Sequence, residues 1–200
     1  PGLSLPMGLA ELSSRNMVSG TARVMDAMMQ LFKLYFGAFL GISLGYQLFG
    51  VQELVPITKL TGWVPWLGVL MLSVGLVAIF RTRMKHVLWA ITSTFIAYGA
   101  STLSSAYLEN GLGAFVGAFA LGVFANMFSR IANAPSTIVA MHGLIVLVPG
   151  SKTYIGLNSF VSGQDVLNAE HLGQETFLIL MSLIAGLIFA NVLMPTKKAL

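Results

Sequence analysis

Several stretches of the chain lack charged side chains over lengths close to the span of a lipid bilayer, among them 34–51, 63–80 and 177–194. A hydrocarbon core about 30 Å thick is crossed by an α-helix of about 20 apolar residues. A helix is suited to lipid because it hydrogen-bonds its own backbone amides. Hydrophobic residues make up 56% of the chain and charged residues 9%, whereas roughly a quarter of an ordinary soluble domain is charged. The sequence therefore predicts an all-α, polytopic integral membrane protein.

Six apolar segments can be drawn, and one of them is too short to cross a membrane. The segments are 27–50, 63–80, 87–108, 111–128, 136–148 and 176–194. At about 1.5 Å per residue, the fifth segment reaches roughly 20 Å. Pro135 precedes it and Pro149-Gly150 follows it, as expected for a helix that begins and ends sharply. We expect about six membrane segments, of which 136–148 is a broken short helix.

Lysine and arginine are distributed unevenly between the two ends of these segments. If 27–50 enters from the cytoplasm and every segment crosses, Lys59 and Lys152 lie outside. The basic residues that then lie inside are Arg15, Arg23, Lys33, Arg81, Arg83, Lys85, Arg130, Lys197 and Lys198. Short cytoplasmic loops are enriched in basic residues, so this orientation is favoured. If 136–148 instead returns to its own side, Lys197 and Lys198 lie outside.

The chain contains two copies of one short element. Residues 149–157 repeat 1–9, keeping a Pro-Gly pair, a five-residue gap and a Gly-Leu pair, and a Ser-Gly pair follows each copy, at 19–20 and 162–163. The first and last apolar segments follow these copies, and they run in opposite directions if every segment reverses the chain. Inverted repeats of this type are typical of secondary transporters. Because Pro1 opens the chain inside a repeated element, we expect further sequence upstream.

Two regions are candidates for binding a small-molecule substrate. Each Pro-Gly pair interrupts a helix and leaves backbone groups without helical hydrogen bonds, close to hydroxyl side chains. The residues concerned are Pro1, Gly2, Pro149, Gly150, Ser151 and Tyr154. The start of 136–148 combines a guanidinium with helix N-terminal amides that can hold a carboxylate, and the residues there are Arg130, Asn133, Ser136 and Thr137. Structural turns at the breaks, and a cytoplasmic anchor with a helix cap at the start, are the alternative interpretations.

Polar side chains inside the apolar segments give further candidates. Four of them share one face of 87–108 at helical spacing: Thr94, Tyr98, Ser101 and Ser105. That face either makes hydrogen bonds between helices or lines a substrate path. His142 lies in the middle of 136–148, and an imidazole titrates near neutral pH, so it is a candidate for proton coupling together with Asp165. A neutral His142 bonded to a neighbouring carbonyl is the alternative.

Several classes of protein are excluded or disfavoured by the composition. The chain has no cysteine, which excludes disulfides, thiolate metal sites and cysteine nucleophiles. It has no phosphate-cradling loop, metalloprotease helix or nucleophile elbow, so we expect neither an enzyme nor a bound cofactor or metal. The net charge of +4 arises from bases at the ends of apolar segments, where membrane orientation explains them, so we expect no nucleic acid partner.

The chain resembles the threonine/serine exporter family. The resemblance is carried by the repeated Pro-Gly, the 130–135 stretch before the short helix, the run 144–150 (Leu-Ile-Val-Leu-Val-Pro-Gly) and the run 19–23 (Ser-Gly-Thr-Ala-Arg). It implies that 1–50 is the end of a first transporter repeat with one membrane helix and that 63–200 is a second five-segment repeat. The short loop 51–62, with Glu53, Pro56 and Lys59, is predicted to be the linker between them. The missing first half of the same protein would then be a partner.

This resemblance implies proton-driven export of threonine and serine by alternating access, as an antiporter in a bacterial inner membrane. Relatives with the two halves on separate chains imply a dicarboxylate, succinate-like substrate as an alternative. A channel subunit or a non-transporting membrane scaffold also remains an alternative, and so does a homo-oligomer. The proposed site lies between the repeats, with the substrate carboxylate at helix-end amides and its ammonium at freed carbonyls.

Overall fold

A computed structural model describes residues 4–50, 62–108, 111–148, 150 and 166–195, without the side chains of 42, 46 and 166–174. The helices of this part are α1 Ser4–Ser13, α2 Met17–Phe49, α3 Val64–Ile79, α4 Met84–Ser105, α5 Leu112–Ala132, α6 Thr137–Leu147 and α7 Val166–Leu193. No strand occurs within these residues. The predicted all-α polytopic fold is confirmed, and each apolar segment corresponds to one helix from α2 to α7.

Four helices of the described part are long and apolar enough to cross a membrane: 17–49, 84–105, 112–132 and 175–193. The chain is therefore an integral membrane protein. α3 has 16 residues and α6 has 11, so α6 reaches roughly 16 Å. The short helix predicted at 136–148 is present, and its length alone does not cross the bilayer.

The sequence pattern missed α1 and the beginning of α2. α1 is a ten-residue helix, shorter than a membrane span, and it buries Leu5 and Leu9 in the core that α7 shares. Arg15 has a φ of 65° in the turn that joins α1 to α2. α2 begins at Met17 rather than at 27, because Arg23 and Asp26 lie on its exposed side and do not interrupt the helix.

α5 is the central helix, and small residues let its neighbours approach closely. It packs on α4, α6 and α7 and buries Ala118, Leu121 and Phe128 completely. A methyl group added at Gly186 of α7 would lie 2.6 Å from the carbonyl oxygen of Phe115 and 2.9 Å from Cβ of Ala118. These distances are too short for real carbon atoms, so the α5–α7 contact depends on the absence of a side chain there.

α5 and α7 run in the same direction. Gly111 at the start of α5 lies against Leu178, whereas at its end Asn126 Nδ2 donates to the carbonyl of Met194 at 2.7 Å and to Asn191 Oδ1 at 2.9 Å. α6 lies between them in the chain, so the chain reaches α7 from the other end of the bundle. Of the two alternatives for 136–148, this geometry fits the one in which the chain crosses between α5 and α7.

A basic cavity as the candidate functional site

A cavity of about 710 Å³ lies where three pairs of helices meet. α1 and α2 contribute Met7, Glu11 and Arg23, the α3–α4 turn contributes 80–83, 85 and 86, and the α5–α6 junction contributes 132–135, followed by 137, 138, 141 and 142. Drug-sized ligands bind in pockets of roughly 300–1,000 Å³, so a small metabolite fits in this space. The cavity therefore joins residues that are more than a hundred positions apart in the chain.

The cavity is strongly positive. Its basic residues are Arg23, Arg81, Arg83 and Lys85, and Glu11 is the one acid among its described lining residues. All four cations belong to the set that the positive-inside rule assigns to the cytoplasmic side, and the structure places them together at one end of the bundle. Clefts lined by one sign of charge concentrate ligands of the opposite sign.

The α3–α4 turn presents its cations through an unusual backbone. Arg81 has a φ of 47°, and the amides of Arg81 and Thr82 donate to the carbonyls of Ala78 and Val77 at 3.2 and 3.1 Å. Glycine is the usual residue in this left-handed position after a helix, because the left-handed conformation costs other residues about 1 kcal/mol of conformational free energy. Arginine therefore occupies a position where glycine is the better backbone choice.

The start of α4 lacks a side-chain cap. Arg83 is the N-cap residue, and its side chain makes no capping hydrogen bond. The first amides of a helix have no partner within the helix and carry partial positive charge. Together with the arginines and Lys85, this helix end favours an anionic group.

His142 is almost fully buried, at 1% exposed, and both of its ring nitrogens have partners. Nδ1 lies 2.7 Å from the carbonyl oxygen of Ile138, and Nε2 lies 3.3 Å from Oγ1 of Thr82. A carbonyl only accepts, so Nδ1 carries a proton, and in the neutral ring Nε2 accepts from the hydroxyl of Thr82. If the ring gains a second proton, the hydroxyl can rotate and accept instead, so both contacts survive. The hydrogen bond to a neighbouring carbonyl that was the alternative for a neutral His142 is present. The same hydrogen bond is also compatible with a protonated ring.

Two further polar side chains of the cavity were missed from the sequence. His86 is 5% exposed and packs edge-on against Phe128 at a ring distance of 5.2 Å, and its Nδ1 has no hydrogen-bond partner. Glu11 accepts from Arg23 Nε at 2.7 Å through Oε1, whereas its Oε2 is shielded from water and has no partner. The basic run at 81–85, directly before His86, is the sequence signal that could have indicated this site.

Only some of the residues predicted to bind substrate line the cavity. Asn133 and Thr137 line the cavity together with His142. Arg130 and Ser136 do not; Arg130 Nη2 donates to the carbonyl of Pro195 at 2.9 Å and so holds the end of α7.

The hydroxyl face of α4 also lies outside the cavity. Tyr98 packs edge-on against Trp66 at 5.0 Å, Ser101 lies beneath Gly117 of α5, and Thr94 donates to the carbonyl of Ile91. Gly150 donates its amide to Val148. The remaining candidates lie outside the described residues: Pro1, Gly2, Pro149, Ser151, Tyr154 and Asp165.

Two family models match most of the chain. The model described as threonine/serine exporter, ThrE, matches residues 66–193, and a second threonine/serine exporter model matches residues 1–45. The two matches leave 46–65 between them.

Among the curated relatives are fungal proteins named pheromone-regulated membrane protein 10. The protein of Eremothecium gossypii is 30% identical over 159 residues, which cover 74% of this chain and 21% of the relative. Those of Kluyveromyces lactis and Saccharomyces cerevisiae S288c are each 26% identical, covering 84% and 88% of this chain and 18% and 46% of the relative. The chain thus spans less than half the length of these relatives. No solved structure matches it.

Proposed function

Because this chain belongs to the threonine/serine exporter family, we propose that it forms part of a secondary transporter that exports threonine and serine. The observation that carries this proposal is the basic cavity, which collects four cations and a helix N-terminus around a space of metabolite size. A carboxylate is the anionic group that every amino acid carries. In the proposed orientation the cavity opens to the cytoplasm, where an exporter takes up its substrate.

The substrate carboxylate is held by the arginines at the α3–α4 turn and the start of α4. A guanidinium binds a carboxylate through two parallel hydrogen bonds, which fixes orientation as well as supplying charge. Thr137 and Asn133 line the same cavity from the α5–α6 junction, where they can hydrogen-bond the substrate hydroxyl. A site that hydrogen-bonds the substrate hydroxyl binds hydroxy amino acids in preference to analogues that lack this hydroxyl.

We propose alternating access by movement of two inverted repeats. In support, α2 begins near the cavity, where Arg23 lies, and α7 ends at the same end of the bundle, where its last carbonyls meet Asn126 and Arg130. The two helices that follow the Pro-Gly elements thus have opposite polarity relative to the cavity. Proton coupling is assigned to His142, whose buried ring keeps its partners in either protonation state. The full-length protein, with its other half, is the transporting unit.

A dicarboxylate is the second candidate substrate, and the excess of positive charge in the cavity is the observation that supports it. Four basic residues against one acid provide more positive charge than a zwitterion needs. Succinate would place a carboxylate at each side of the cavity.

The test is uptake of labelled threonine, serine and succinate into proteoliposomes of the full-length protein, with and without an imposed pH gradient. Saturable, gradient-dependent flux of threonine or serine supports the proposal. Saturable flux of succinate alone selects the second candidate. Flux without saturation indicates a channel, and folded protein that moves none of the three compounds leaves the scaffold alternative.

A further inference from the structure

We infer that Glu11 binds the ammonium group of the substrate and so makes the cavity select amino acids over hydroxy acids and dicarboxylates. The inference rests on the proposed function, because it assigns a recognition role within the same cavity. It concerns a residue in α1, the helix that the hydropathy pattern did not reveal.

The first argument is the state of the two carboxylate oxygens. Oε1 accepts from Arg23 Nε at 2.7 Å, but Oε2 has no donor and is shielded from water. A buried charged oxygen without a partner is costly, because the hydration it has lost is not replaced. A conformation that brings a donor to Oε2 is therefore favoured. An ammonium group has three donors and the complementary charge.

The second argument is the distribution of charge. The other charged residues that line the described cavity are Arg23, Arg81, Arg83 and Lys85, all of them cations. An ammonium group is repelled from every part of this lining except the surroundings of Glu11. A dicarboxylate or a hydroxy acid makes no use of a carboxylate in its site and is repelled by it.

The third argument is the spacing of the pair. In an α-amino acid, one carbon atom separates the ammonium group from the carboxylate. Arg23 is half exposed, at 49% of its side chain, and it engages Glu11 through Nε and Sδ of Met7 through Nη1, so its guanidinium keeps further N–H donors for a carboxylate. The Glu11 carboxylate and the Arg23 guanidinium are adjacent, as are the ammonium group and the carboxylate of an amino acid. The ion pair can therefore bind both charged groups of the substrate at one place.

The experiment compares serine with 3-hydroxypropionate, which is serine without its ammonium group, in proteoliposomes of the full-length protein. In Glu11→Gln we expect the KM for serine to rise about tenfold or more, because hydrogen bonds to charged groups contribute about 1.5–3 kcal/mol. The KM for 3-hydroxypropionate is expected to fall or stay unchanged. Asp26→Asn is the matched control, since Asp26 bonds Ser4 and Gln30 on the same helical hairpin and does not line the cavity.

A second variant separates recognition from a purely structural ion pair. Arg23→Gln breaks the same pair but leaves the Glu11 carboxylate, so it should retain the preference for serine over 3-hydroxypropionate. If Glu11→Gln does not reach the membrane folded, Glu11→Asp is used, and it should raise the KM for serine selectively because the shorter side chain withdraws the acceptor.

The inference is wrong if the Glu11 variants keep the wild-type preference, or if Arg23→Gln loses that preference to the same extent. Either result leaves the proposed function intact when the wild-type protein transports serine. Wild-type protein that transports neither threonine nor serine overturns both proposals together.

Discussion

Oγ1 of Thr82 lies 3.3 Å from Nε2 of His142, and this contact joins the α3–α4 turn to the short helix α6. The ring also lies against Phe80 at a ring distance of 5.0 Å, so two residues on either side of Arg81 hold it. Movement of the turn relative to α6 therefore changes the environment of the imidazole. If His142 carries the coupling proton, as proposed, this contact links its protonation to the position of the arginines.

Replacing His142 by glutamine should weaken the response of transport to pH. Glutamine keeps a polar group near Thr82 but does not titrate, so flux should persist at reduced rate with a flattened pH profile between about pH 5 and 8. The measurement is serine flux in proteoliposomes at a series of pH values. A variant with the wild-type rate and profile would remove His142 from proton coupling.

Arg81→Gly should increase the stability of the folded protein and weaken substrate binding. Glycine relieves the left-handed backbone at φ 47°, which should stabilise the protein by about 1 kcal/mol, while loss of the cation should raise the KM for serine several-fold. Thermal unfolding in detergent and transport kinetics measure the two effects. Arg15→Gly is the matched control, since Arg15 has a φ of 65° but does not line the cavity; it should gain stability with unchanged KM. A normal KM in Arg81→Gly would place Arg81 outside the site.

His86→Phe should leave stability unchanged or increase it. The phenyl ring can keep the edge-on contact with Phe128 and removes a buried nitrogen that has no partner, and replacement of an unsatisfied polar group by an apolar one is near neutral or stabilising. If Nδ1 serves the substrate in another step of the transport cycle, flux should fall although the protein is at least as stable. Stable protein with full flux would show that His86 is a packing residue alone.

Gly186→Ala should destabilise the bundle without altering substrate affinity. The added methyl group meets the backbone carbonyl of Phe115 at 2.6 Å, and the backbone cannot move aside cheaply, so the expected cost is about 1–3 kcal/mol. Gly41→Ala is the control, because nothing lies within 4 Å of the new methyl group, and alanine favours the helix by up to about 1 kcal/mol. Thermal unfolding in detergent should separate the two variants in opposite directions, and equal unfolding temperatures would contradict the packing described here.

The local pattern of hydropathy and charge was sufficient to predict a membrane protein and to locate most of its helices. An uncharged run such as 63–80 predicts α3 within one residue at each end, because the requirement for internal hydrogen bonds in lipid acts on each segment separately. The shortness of α6 could likewise be read from Pro135 and Pro149. α1 was not found, because ten residues are fewer than a span needs and their burial depends on α7.

Hydropathy and charge act along the chain, so they were sufficient to predict a polytopic helical membrane protein with its basic residues biased to one side. Which of those residues share a site follows from the packing of the helices. This packing brought Glu11 and Arg23 to Arg83 and His142, and it left Tyr98 and Arg130 to packing and to the end of α7. The reason is physical: helix directions and side-chain packing set the contacts between distant segments, and no local pattern contains them.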